Sequence, residues 1–220
     1  LGAILAVVLL YWRRLLGLLE MGDRQGWKQS KGFSGITGLL KLFLACLPAF
    51  FFGALLHDYI KEHLFSSMTV ALALLVGGVI MIVVERRKMQ PQVNSIESIT
   101  YRQSFLIGLF QCLALWPGMS RSASTIVGAM LLGIDRRTSA EFSFLVAVPV
   151  MFAAVGYDAL KSYSLLSFSD LPVFVVGFLV SFASAVVAIK FFLRLLGSHT
   201  LIPFGVYRIL LGILVILFVG

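Results

Sequence analysis

Two apolar runs, residues 36–56 and 64–84, each reach the roughly 20 positions a helix needs to cross a hydrocarbon core about 30 Å thick. Similar runs cover 142–155 (extended by Gly156 and Tyr157), 171–196 and 201–219. Two stretches depart from this pattern. Residues 105–116 and 126–134 are each too short to cross, and the polar residues Pro117, Gly118, Ser120, Arg121 and Ser122 lie between them. The opening run, 1–12, would make only about 18 Å of helix. It starts at Leu1 without Met, so it reads as a partial span with sequence upstream. A signal peptide fits less well, because Arg13 and Arg14 follow directly with no small-residue cleavage site.

Basic residues set the orientation. Arg13, Arg14, Arg24, Lys28 and Lys31 follow the first run; Arg86, Arg87, Lys88 and Arg102 follow the third. Arg136 and Arg137 follow the short pair, and Lys190 and Arg194 lie near the end of 171–196. The alternate connections hold only Lys61 and Lys161, so the basic side is cytoplasmic. Both connections flanking the short pair are basic, so residues 105–134 must enter and leave on one side, as a re-entrant helix–break–helix hairpin. Non-helical backbone at membrane depth survives only inside protein or along a cavity, which marks the break as a site.

The predicted fold is therefore an all-α integral membrane protein: one polytopic bundle over 1–220, with six spanning helices (the first partial) and one re-entrant hairpin. Composition agrees. The chain is 60% hydrophobic and 13% charged, with a mean hydropathy of +0.99. Its net charge of +8 sits in short connections, where it points to topology and anionic lipid rather than nucleic acid. Cys46 and Cys112 lie in apolar runs and read as packing residues. His57, His63 and His199 fall in predicted loops without zinc spacing, and there is no Walker loop, dinucleotide fingerprint or nucleophile elbow.

The break has a specific chemistry. Pro117 and Gly118 end the first half-helix, and Ser122 or Ser124 is placed to cap the second. A helix N-terminus offers free N–H groups and the positive end of a dipole. With Arg121 and the hydroxyls of Ser120, Ser122, Ser124 and Thr125 it makes an anion cradle, and phosphate is its natural guest. Serines alone would be explained by helix packing. An intramembrane Arg costs about 2.5–3.5 kcal/mol even on the lenient insertion scale, so Arg121 calls for a function. Lys41 and Arg208 lie nearer predicted helix ends and read as snorkelling residues. Gln111, Glu141 and Asp158 read at least as well as packing or pairing residues.

These residues carry a resemblance. QCLALWPGMSRSAST, from Gln111 to Thr125, resembles the second signature of the bacterial undecaprenyl-pyrophosphate phosphatases, the bacitracin-resistance family. SAEFSFLVAVP (139–149) is similar to the segment that follows it there, IPFGVYR (202–208) to the start of that family's last helix, and residues 1–14 to its first full span. The resemblance covers essentially the whole chain. It implies an inverted repeat of a re-entrant hairpin plus three spans. Residues 1–84 would be the rest of the first repeat, 85–104 a cytoplasmic loop, and 105–219 the second repeat. The family's first hairpin, with its acidic and Ser/His motifs, would lie outside this sequence.

By the same resemblance, Arg121, Ser120 and Ser122 are catalytic, while Gly118, Thr125 and Gln111 bind substrate. A divalent metal (Mg or Ca) would be held by acidic residues outside this stretch, so residues 1–220 alone would be inactive. The implied reaction is hydrolysis of undecaprenyl diphosphate in a bacterial plasma (inner) membrane, serving cell-wall synthesis and bacitracin resistance. The implied partners are a polyprenyl diphosphate and membrane lipid, with no nucleic acid and a homodimer as an open assembly state. Two rivals share the same residues: a secondary transporter or flippase using the broken helix, and a scaffolding subunit.

Overall fold

The apolar runs become helices with nearly the predicted bounds. The computed structural model describes residues 1–19, 32–87, 90–162 and 171–219; the basic positions Arg24, Lys28, Lys31 and Lys88 fall outside them. The helices are α1 (Gly2–Leu10), α2 (Trp12–Leu19), α3 (Gly35–Leu55), α4 (His57–His63) and α5 (Ser67–Arg86), then α6 (Tyr101–Gln111), α7 (Arg121–Leu131), α8 (Arg136–Ser162), α9 (Leu171–Ser198) and α10 (Ile202–Val219). Of these, α3, α5, α8, α9 and α10 are long and apolar enough to cross a membrane, so the chain is an all-α, multi-pass membrane protein. Its lipid-facing surface is apolar: on α9, Val173 is 75% exposed and Val176 60%.

The first run is bent. α1 and α2 meet at 79° around Tyr11. Arg13 and Arg14, expected in a loop, lie on α2. The reason is amphipathic spacing: Leu15 and Leu18 pack inward while Arg13 stays exposed, so the segment can lie along the membrane surface as helix. Arg14 is held by Glu97 at 2.5 Å and Glu141 at 3.9 Å. Glu141 also takes Arg137 at 3.1 Å, which is the pairing role read for it. His57 and His63, expected in a loop, bound the short helix α4.

The two short runs fold back on each other as a helix–break–helix hairpin. α6 and α7 lie against each other, with Gly128 leaving room for the Phe110 ring. At the root, Gln103 Nε2 donates to the Leu132 carbonyl at 3.1 Å, so the start of α6 and the end of α7 sit together. Single cysteines replacing Arg102 and Arg137, in a background with Cys46 and Cys112 changed to Ala, should react with an impermeant maleimide from one side of the membrane. One replacing His57 should react from the other. Labelling of the first two from opposite sides would remove the hairpin.

Glycines set how closely the spans pack. A Cβ on Gly108 of α6 would sit 2.6 Å from the Ala45 carbonyl oxygen of α3. α5 and α10 cross on a seam of small residues. A Cβ on Gly78 would meet the Gly205 carbonyl oxygen at 2.7 Å, and one on Gly212 would meet that of Ala71 at 3.0 Å. As the contacts move seven residues up α10 they move seven down α5, so the two helices are antiparallel. Such stripes let backbones approach where apolar burial gives no net drive.

Candidate active site

The break is shorter than its composition suggested. A four-residue 3-10 turn, Cys112–Leu115, extends α6, and α7 begins at Arg121. Between them, Met119 N–H donates to the Trp116 carbonyl at 3.0 Å. Pro117 takes the second position of this turn and Gly118, at φ 91, the third. That is the type II pattern, which needs glycine where φ is positive. Ser120, not Ser122 or Ser124, caps α7 by accepting from Ala123 N–H at 3.3 Å. Ser124 and Thr125 instead donate back to the carbonyls of Ser120 and Arg121, both at 3.0 Å, which suits them to helix interior rather than cap.

The turn is clamped on two spans. Trp116 Nε1 donates to the Thr69 carbonyl on α5 at 3.1 Å. Arg208 of α10 donates through Nη2 to the Gly118 carbonyl at 2.9 Å and to Ala73 O on α5 at 3.2 Å. At ordinary helical rise, α6 and its 3-10 extension together are about 24 Å long, short of a 30 Å core. α7, at 11 residues, is about 16 Å long.

Arg121 donates to the Ser143 carbonyl of α8 at 3.2 Å and to Ser122 Oγ at 3.4 Å. Thr125 is 1% exposed, and its hydroxyl also meets Ser143 Oγ at 2.7 Å. Gln111 is buried in the α3–α6 interface, with Nε2 on the Ala45 carbonyl at 3.4 Å and Oε1 without a partner among the described residues. The structure thus gathers Gly118, Ser120, Arg121 and Ser122 at one turn, and sets the Thr125 hydroxyl and the Gln111 amide into packing contacts.

Arg208 corrects the snorkelling reading. It is 8% exposed, and its guanidinium reaches inward across α5 to the turn. Gly77 makes this approach feasible: a Cβ there would lie 2.5 Å from Arg208 Nη2. Arg208 lines a pocket of about 230 Å³ together with Ser120, Ser122, Ile126, Phe192 and Phe204. Its signal in the sequence was the IPFGVYR stretch with the paired Gly77 and Gly78. Lys41 is buried too, at 4% exposed, and its Nζ donates to the carbonyls of Gly32 at 2.8 Å and Glu97 at 3.2 Å in the connections before α3 and before α6.

Neither Arg121 nor Arg208 forms an ion pair among the described residues. The α7 N-terminus adds its first N–H groups, which have no intrahelical partners. Cations, hydroxyls and a dipole end together hold anions. They do not fit a divalent cation, which needs several oxygen ligands with carboxylates among them. Among the described residues no group of three Asp, Glu, His or Cys side chains could hold a metal. Cys46 and Cys112 are free and donate weakly to the carbonyls of Val146 and Gly108.

Comparison with known proteins adds the family. A family model described as bacitracin resistance protein BacA matches residues 1–214. A protein named undecaprenyl-diphosphatase from Maridesulfovibrio salexigens is 53% identical over 218 residues, covering 99% of this chain and 80% of its own length. Proteins of the same name from Desulfovibrio desulfuricans (51% identical; 96% of this chain, 78% of the relative) and Nitratidesulfovibrio vulgaris (49%; 100% and 81%) are similar throughout.

Proposed function

Since the chain belongs to the bacitracin resistance protein BacA family, we propose that it hydrolyses undecaprenyl diphosphate to undecaprenyl phosphate and phosphate. The reaction takes place in the bacterial plasma (inner) membrane, where it recycles a lipid carrier for cell-wall synthesis and opposes bacitracin. The observation that carries this reading is Arg121: a guanidinium at the first turn of a half-helix, between two apolar helices too short to span, with no carboxylate paired to it among the described residues.

Phosphoryl transfer depends on positioning and on spreading negative charge rather than on new covalent chemistry. Water attacks the terminal phosphorus, the bond from that phosphorus to the bridging oxygen breaks, and the bridging oxygen leaves with the prenyl phosphate. Arg121 and the α7 N-terminus hold the charge that develops on the equatorial oxygens. The Ser120 and Ser122 hydroxyls orient the phosphates, and the Gly118 turn keeps backbone close to them. Thr125, through Ser143, fixes the first turn of α7 from behind.

Residues 1–220 are proposed to supply the anion-holding wall alone. The Mg or Ca implied by the resemblance finds no ligand set among the described residues. The full-length protein in detergent should release inorganic phosphate from a C55 diphosphate and lose that activity in EDTA; the 220-residue stretch should release none. Intact diphosphate recovered on the opposite leaflet of a vesicle, without phosphate release, would replace hydrolysis by transport.

A further inference from the structure

Arg208 is the second cation at the break and the more deeply buried of the two, and among the described residues its charge has no counter-charge. Its Nη2 donates to two carbonyl oxygens, which disperse charge without neutralising it. Its Nε is buried without a partner. A guanidinium carries five N–H donors in a rigid fork, matched to phosphate or carboxylate. Burying such a charge without a counter-charge is costly to a fold, and a site keeps it when an anionic ligand supplies the missing partner.

The pocket beside it has the right composition. Ser120 and Ser122, from the cap and first turn of α7, make one polar end with Arg208, and the other walls are apolar: Ile126, Phe192 and Phe204. Ser122 belongs to both cations, accepting from Arg121 Nη2 while lining the Arg208 pocket. Two cations that share one neighbouring hydroxyl suit two phosphates joined through one oxygen. Only one of those phosphates carries hydrocarbon, and the pocket at Arg208 has apolar walls next to its polar end.

We propose that this pocket between α5, α7, α9 and α10 holds the chain-bearing phosphate of the diphosphate lipid, with Arg208 as its counter-cation, while Arg121 serves the terminal phosphate. The assignment rests on the hydrolytic reading above and adds a division of labour to it. About 230 Å³ is the volume of roughly eight waters, enough for a phosphate and the first few carbons. The remainder of the chain lies outside, along the exposed apolar faces of α9 and α10. After hydrolysis, the prenyl monophosphate is the product that stays on Arg208.

The test is binding without turnover, measured by calorimetry on the full-length protein in detergent, with farnesyl monophosphate as the probe. Wild type should bind farnesyl monophosphate well, and farnesol and inorganic phosphate far more weakly. Arg208→Gln should weaken farnesyl monophosphate on the order of tenfold or more, the scale of a lost charge-assisted contact. Arg121→Gln should change it by less than about threefold, since one unpaired hydroxyl contact is at stake. Ala123→Leu, which crowds the pocket while sparing the carbonyl contacts of Arg208, should match Arg208→Gln and covers the case in which that variant misfolds. Unchanged binding in Ala123→Leu, or an equal loss in Arg121→Gln, would overturn the assignment. Phosphate release by a wild type that does not bind the probe would remove the subsite and leave hydrolysis standing. Arg208-dependent binding in a protein that releases no phosphate would do the reverse.

Discussion

Arg121→Ala in the full-length protein should lower phosphate release by about a thousandfold or more, the low end of what an arginine contributes to phosphoryl transfer. The fold should tolerate the change. Arg121 makes one contact to a backbone carbonyl and one to the adjacent Ser122, and among the described residues it has no carboxylate that its loss would strand. Removing an uncompensated charge from between apolar helices relieves a cost rather than adding one. Melting temperature and elution volume should therefore match wild type while kcat falls. Arg121→Lys keeps the charge but loses the planar fork, and should still be at least about tenfold slow. A kcat for Arg121→Ala within about tenfold of wild type would take Arg121 out of the chemistry, and a scaffolding role would then fit better.

The second large effect is expected at Gly118. Gly118→Ala places a Cβ 2.6 Å from the Val70 carbonyl oxygen and 3.0 Å from Val70 Cα, at a φ of 91 that side chains rarely adopt. Backbone strain of this kind costs about 1–3 kcal/mol and overpacking a similar amount. The turn can relieve the clash only by withdrawing from α5. That motion pulls Trp116 off Thr69 and Gly118 off Arg208, so the clamp fails with the packing. A loss of about 2–5 kcal/mol in stability, together with at least a tenfold loss of activity, should follow. Gly177→Ala is the matched control: a Cβ there meets nothing within 4 Å. Alanine in its place should leave both measurements unchanged or stabilise the helix by up to about 1 kcal/mol. Equal behaviour of the two variants would show that the turn is not held against α5.

Hydrophobic run length located the spans because lipid makes a single demand on a helix, and charge alternation identified the hairpin because both of its flanks are basic. What escaped was set by contacts between distant segments or by local bonds that composition does not display. The start of α7 at Arg121 depends on Ser124 and Thr125 donating backward, where the same residues could equally have capped. The amphipathic α2 was hidden because Arg13 and Arg14 look alike whether in loop or helix. Arg208 was the deepest omission. An arginine in the early turns of a last helix points outward unless the neighbouring helix leaves a gap, and that gap is Gly77, on a different span.

The bond from Arg208 to the Gly118 carbonyl joins residues 90 positions apart. Synthesis runs at about 5–20 residues per second, so the turn waits roughly 5–20 s for its partner helix to be made. Through that interval the apex is tethered to one span only, by Trp116 to Thr69 of α5, and the guanidinium that completes the clamp has not yet left the ribosome. Maturation of the site is therefore timed by the last helix. A nascent chain carries α7 long before it carries the helix that completes the pocket beside it.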